Sequence, residues 1–340
     1  MNLNKIYTVF KVIRFTIILY LFLLSTCFYQ NRIVQINETR LLMGTVVEIT
    51  VLDTSEVAAK TAITDAFDEI SRISAVFYEG NPKSPIYAFN HRTQNEIVMP
   101  SEVLGLVERS MDISKKMDGA FDITVGGLLP LYRFKGDSLV PPNQKDIQAV
   151  LPFVGFNHLV INFAENILSC NNRKTQIGTG AVAKGYAVDR AIELLNSRGV
   201  KGAIINAGGD LRVLPRMDGK RWRVGIQHPR NRGEMLDVLE ICNGAITTSG
   251  DYEKFFMYQE KRIHHILDPK TGLPADSCQS VTIIAPKAEL ADALATGMFV
   301  LGITKGMEFI QQFPEVEAMW IRTDGKRFET SGFGKYYADK

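Results

Sequence analysis

Cysteine is scarce in this 340-residue chain: four residues, Cys27, Cys170, Cys242 and Cys278, with no C-x-x-C spacing. That pattern argues against a structural zinc site or a disulfide scaffold, although one bridge among the last three stays open. Charge of one sign is lacking as well. Lys and Arg number 39 against 37 Asp and Glu, and three of the bases, Lys5, Lys11 and Arg14, fall in the first 27 residues, which contain no acid. Without those three the body is nearly neutral, so the basic patch that nucleic-acid binding requires finds no support. The sequence also lacks internal repeats, low-complexity blocks and any linker splitting residues 41–335. With 46% hydrophobic and 22% charged residues, the composition is that of an ordinary globular protein and argues against disorder or a multi-span membrane protein.

What is present begins with a leader. A basic start, the apolar run Phe15–Leu24 and the small residues Ser25 and Thr26 before Cys27 make the three-part layout of an export signal. The run is short for a membrane span. Leu24-Ser25-Thr26-Cys27 is similar to a bacterial lipobox, whose cysteine is lipidated after cleavage; Thr26 departs from the Gly, Ala or Ser usual before that cysteine, and an uncleaved N-terminal anchor is the alternative. Either arrangement puts the body outside the cytoplasm and attached to a membrane, on the periplasmic face of the inner membrane in a Gram-negative cell. Residues 1–27 are thus assigned to a leader or anchor, and the polar, mixed residues 28–40 to a tether.

Periodicity outlines the body. Thr45, Val47, Ile49 and Val51 alternate with Val46, Glu48 and Thr50, which predicts a strand, and Ala59, Ala62, Ala66, Ile70, Ile73 and Phe77 form one stripe of a helix over Glu56–Phe77. Further helices are expected over Ser101–Met117 and Val182–Arg198, the latter ended by Gly199. Strands are expected at His158–Phe163, Ala203–Asn206 and Arg221–Gln227, with a hairpin turning at Asp324-Gly325. The elements alternate without the rhythm of a doubly wound sheet. An α+β domain with mixed or antiparallel sheets is the class expected.

Two segments carry chemistry. From Leu290 to Ile303 the only charged side chain is Asp292, inside a stretch apolar all round and therefore buried. A buried carboxylate needs a cation or several donors. Thr296, four residues on, shares its face, and oxygen ligands suit Mg²⁺ rather than zinc; an ion pair with a distant Lys is the plainer alternative. The other segment, Gly178 to Gly185, opens a helix with bare backbone and Lys184 in its first turn, an arrangement that favours an anion. It matches neither the Walker nor the dinucleotide glycine pattern. Asn206-Ala207-Gly208-Gly209-Asp210 follows a strand, where ligands are commonly met, and of the adjacent His264 and His265 at most one can face a given site.

These pieces occur in a telling order. Met43-Gly44-Thr45, Ala120-Phe121-Asp122, Gly180 to Gly185, Asn206 to Asp210, Ser249-Gly250-Asp251-Tyr252, His265 to Pro269 and Asp292 to Thr296 together closely resemble the ApbE family of FAD:protein FMN transferases, over residues 41–335. The resemblance implies a single T-fold-related unit with helices flanking its sheets and an FAD cleft. It implies Mg²⁺-dependent transfer of the FMN half of FAD to a Thr or Ser hydroxyl of an exported or membrane-bound redox subunit, with release of AMP.

By the same resemblance, Met43, Ala120, Phe121, Asp122, Ile266 and an aromatic taken as Tyr78 contact the flavin nucleotide. Lys184 lies on the diphosphate, and His265 or Asp251 is the base. Asp292, Thr296 and the carbonyl of Ala181 hold the metal. Family members often carry an Asp where this chain has Gly178. Hydrolysis of FAD to FMN and AMP, or FAD binding by a lipoprotein without chemistry, are the alternatives the same motifs admit.

Overall fold

The structure, a computed structural model, describes residues 33–134 and 139–339, so the leader with Cys27, and the lipidation expected there, lie outside the described residues. In chain order the first strands are β1 (Val34–Leu42), β2 (Thr45–Asp53), β3 (Glu96–Val98), β4 (Leu159–Asn162), β5 (Ile167–Cys170), β6 (Gly202–Ala207) and β7 (Asp210–Leu214). They are followed by β8 (Trp222–Gln227), β9 (Met235–Ile241), β10 (Gly244–Gly250), β11 (Phe255–Tyr258), β12 (Lys261–His264), β13 (Cys278–Ala285), β14 (Glu317–Arg322) and β15 (Arg327–Glu329). The helices are α1 (Glu56–Phe77), α2 (Pro85–Asn90), α3 (Ser101–Lys116), α4 (Gln144–Val150), α5 (Ala183–Ser197) and α6 (Ala288–Ile310).

Eight strands in the order β1-β2-β6-β7-β10-β13-β14-β15 make one sheet, antiparallel at every pairing. Val47, Ile49 and Val51 of β2 point to one face and bury completely beneath α1, whose alanine stripe lets it lie close to the sheet and to α5. Ser55 caps α1, its side chain accepting from the Ala58 amide. The opposite face is covered by the β8–β9 hairpin and Phe333, with Trp222, Val224, Leu239 and Ile241 packed on Leu211, Val213 and Ile246. The α+β class is borne out.

Central β13 is buried along its whole length, and α6 packs against it and β10. By length and apolarity α6 would pass for a membrane span, but it is mostly buried in the fold and is a core helix.

Residues 34–40, assigned to the tether on their polar mixture, instead form most of β1. They pair with β2 in unbroken register, from Val34 opposite Asp53 to Leu42 opposite Thr45. The mixture arises because one face of this strand is open: Gln35, Asn37 and Thr39 are exposed, alternating with half-buried residues that include Val34, Ile36 and Leu42. The folded unit therefore includes residues from 34 onward rather than from 41.

Candidate active site

Several turns meet along one cleft. Leu42 pairs with Thr45, so Met43 and Gly44 alone close the β1–β2 hairpin, both at positive φ as this tight turn requires. Holding a methionine at φ 52° is strained. The strain presents Met43 to a cleft of about 690 Å³, within the range of nucleotide-sized sites. Ala120, Phe121, Asp122, Ala181, Lys184, His265, Ile266, Asp292 and Thr296 line the same cleft, so most of the residues anticipated from the sequence are brought together.

Its polar corner is built by α5, α6 and β7. Lys184 Nζ lies 2.5 Å from Asp210 Oδ2 and 3.6 Å from Asp292 Oδ2, while the Gly185 amide donates to Asp292 Oδ2 at 3.2 Å. Burial works against the Lys184 charge, yet Asp210 and Asp292 outweigh it and hold the ammonium above its usual range. For Asp292, burial and then Asp210 push the carboxyl up to about 7, against the opposing pull of Lys184 and the Gly185 amide. One ammonium therefore serves two buried carboxylates. The plain ion-pair alternative is met only in part, since Lys184 sits closer to Asp210, and the corner is left short of positive charge.

The α5 entrance is less open to an outside anion than its glycines suggest. Val182 and Ala183 donate their amides back to Thr179 O, and Gly185 gives its own to Asp292. A carboxylate of the protein thus occupies part of the helix N-terminus. Beyond it, Thr296 Oγ1 lies 3.4 Å from Ser249 Oγ. Gly178 packs on Gly126, where an added Cβ would lie 3.2 Å from Gly126 Cα, so an Asp there would crowd the turn behind it.

The two histidines divide as the strand alternation requires. His264 is buried and bonds to Ala275 O through Nε2, whereas His265 lines the cleft with Phe134 edge-on to its ring. Its Nδ1 is buried without a partner among the described residues. Burial, then the nearby Lys254 charge and His264, hold His265 down to about 3, so the ring is neutral at physiological pH.

Two expectations are corrected. Tyr78 is 58% exposed and is not among the residues lining the cleft, because its neighbour Phe77 takes the buried face and packs into the core. Asp251 also lies off the cleft lining: both its oxygens accept from Arg230 at 2.7 Å, which commits it to an ion pair. Asp122 does line the cleft, and its carboxylate accepts from Thr124 N, Thr124 Oγ1 and Phe156 N, which fixes the turn that borders it. One residue of the polar corner is not singled out by the sequence. Asp210 was visible only as the end of a glycine turn, and its proximity to Lys184 follows from strand order.

Comparison with known proteins agrees with this geometry. Residues 43–320 match the ApbE family model. A Treponema pallidum protein named FAD:protein FMN transferase is 28% identical over 325 residues, covering 90% of this chain and 90% of its own. A Salmonella typhimurium protein of the same name is 33% identical over 255 residues, covering 73% of each chain. The crystal structure of the ApbE protein from Thermotoga maritima superposes with a TM-score of 0.83 at 30% identity, covering 90% of this chain and 100% of that one. With the fold, the order of its motifs and the family match over residues 43–320 in agreement, the chain belongs to the ApbE family.

Proposed function

We propose that the protein is an FAD:protein FMN transferase, exported and membrane-attached, that modifies a Thr or Ser of a redox subunit. The observation that carries the reading is Lys184 set between Asp210 and Asp292 on the wall of a nucleotide-sized cleft. In the reaction the acceptor hydroxyl oxygen bonds to the phosphorus of the FMN half. The anhydride P–O bond breaks, and AMP leaves with the electron pair. Lys184 offsets charge on the diphosphate, and His265, which lines the cleft and whose Nδ1 has no partner among the described residues, takes the hydroxyl proton.

The corner also fits a divalent cation. Two buried carboxylates share one ammonium, and Asp292, Thr296 and Ala181 offer oxygen donors along one wall. Asp292, Thr296 and the Ala181 carbonyl would hold Mg²⁺. When bound, the ion supplies Lewis-acid stabilisation of charge on the phosphoryl oxygens. The basic, apolar and Cys27 segments of the leader support attachment outside the cytoplasm.

The test is incubation of the purified protein with FAD, Mg²⁺ and candidate acceptors. Acid-stable flavin fluorescence on an acceptor, with one AMP released per label, is the expected result. Free FMN alone would replace transfer by hydrolysis, and unchanged FAD would leave only a binding role.

A further inference from the structure

A transferase needs a place for its second substrate, and the cleft has a neighbour. A groove of about 310 Å³ shares Gly208, Thr248 and Glu253 with the cleft, so the two spaces are neighbours across these residues. Its far wall is β8, of which Val224, Gly225, Ile226 and Gln227 line it in unbroken succession. Neighbouring side chains on a strand point to opposite faces, so four in a row can line a groove only when the strand presents its edge. That edge is free. Among the described residues β8 pairs with β9 alone, whereas the outer edge of β9 is covered by the C-terminal segment, with Ala338 N donating to Val238 O at 3.0 Å and Tyr337 bridging Leu239. The chain thus closes one edge of the hairpin with its own backbone and leaves the edge beside the cleft unpaired.

Between groove and cleft lies bare backbone. Gly208 borders both spaces and Gly209 the groove, each at positive φ, and a side chain at Gly208 would collide with Thr45. We infer that an extended segment of the acceptor polypeptide adds to the free edge of β8 as a further strand, crosses the Gly208–Gly209 saddle and brings its Thr or Ser hydroxyl into the cleft near Lys184. The inference rests on the transferase reading. An unpaired strand edge offers an extended peptide hydrogen bonds largely independent of its side chains. Thr248 and Glu253, which border both spaces, stand where the segment passes from one to the other.

The probe is a pool of synthetic peptides, each with one central threonine and randomised flanks, supplied with FAD and Mg²⁺ to the intact protein. The peptide labelled best is carried into kinetics. N-methylation of its backbone, one amide at a time, is expected to raise KM at alternate positions, the period of an added strand. Gln227→Trp, which fills the groove from an exposed position, is expected to raise the peptide KM at least about tenfold and leave FAD affinity within about twofold. Saturating peptide should also slow hydrogen exchange at the β8 amides in the unmutated protein, a readout that does not depend on the variant folding.

An unchanged peptide KM in Gln227→Trp, an N-methyl profile without alternation, or unaltered β8 exchange would each overturn the groove assignment while the transferase reading survives. A wild-type protein that labels a folded acceptor but no peptide of the pool would also overturn the groove assignment alone, and one that binds FAD yet labels neither would bring down both.

Discussion

Gly185→Ala adds a single methyl group where α5 crosses α6, and the structure makes its consequence calculable. The new Cβ would lie 2.6 Å from Ala288 C and 2.8 Å from Glu289 N, both backbone atoms that no rotamer change can move, whereas ordinary contact begins at 3.4 Å. Ala288 O lies closer still, so the helices must part by more than the 3.4 less 2.6, or about 0.8 Å, that Ala288 C alone demands. In an open helix the same change would gain about 0.5–1 kcal/mol from helix propensity. Here overpacking costs about 1–3 kcal/mol. The Gly185 amide already bonds Asp292 at 3.2 Å, so the separation also removes that charge-assisted bond, for about 1.5–3 kcal/mol.

The net loss for Gly185→Ala is about 2–5 kcal/mol, a fall in Tm of roughly 3–10 °C that leaves the protein folded. Because Lys184 and Asp292 ride on the two displaced helices, transfer should drop by roughly 10²-fold and the Mg²⁺-induced rise in Tm should shrink. Thermal melts with and without Mg²⁺, together with AMP release, measure all three effects. Gly180→Ala is the control, since its Cβ meets nothing within 4 Å and should leave Tm unchanged. Wild-type melting and turnover in Gly185→Ala would refute the idea that this helix contact holds the site.

Asp292→Asn should abolish transfer and the magnesium-dependent rise in Tm. The folded carboxyl is raised to about 7 from 3.8, so its cost to the metal-free fold is absent below pH 3.8 and grows as pH rises towards 7. The variant should therefore match wild-type Tm near pH 4 and exceed it at pH 8 without metal, and a wild-type magnesium response in it would take Asp292 out of the ligand set. His265→Ala should slow transfer by about 10²–10⁴-fold with FAD binding retained, and near-normal transfer would remove histidine as the base. Asp251→Asn should lower stability by about 1–3 kcal/mol by weakening the Arg230 pair, while turnover per folded molecule persists; a selective loss of turnover would restore Asp251 to the chemistry.

Much of this was legible before any coordinates. The stripe from Ala59 to Phe77 marked α1 to the residue, because a helix packed on a sheet must be apolar at a period of 3.6. Asp292 stood out because it is the only charge in a buried segment. Other features depend on what lies across the fold. β1 reads as a tether because one face of the strand is open to solvent and polar, and Asp251 reads as available because its partner Arg230 is brought beside it only by the fold. Asp210 reads as turn chemistry until β7 is seen between β6 and β10, beside α5. Tyr78 shows the same limit over one residue: the sequence offers two aromatics, and helix phase decides which is buried.

The placement of β1 has a practical side. Met43, at its far end, borders the flavin cleft, and Val34, at its start, lies nine residues of extended chain away, about 30 Å. Anything joined ahead of Val34, whether a lipid or an engineered fusion, enters at the opposite end of the barrier that β1 makes with β2. Purification handles and surface immobilisation at that terminus should leave the catalytic mouth unobstructed.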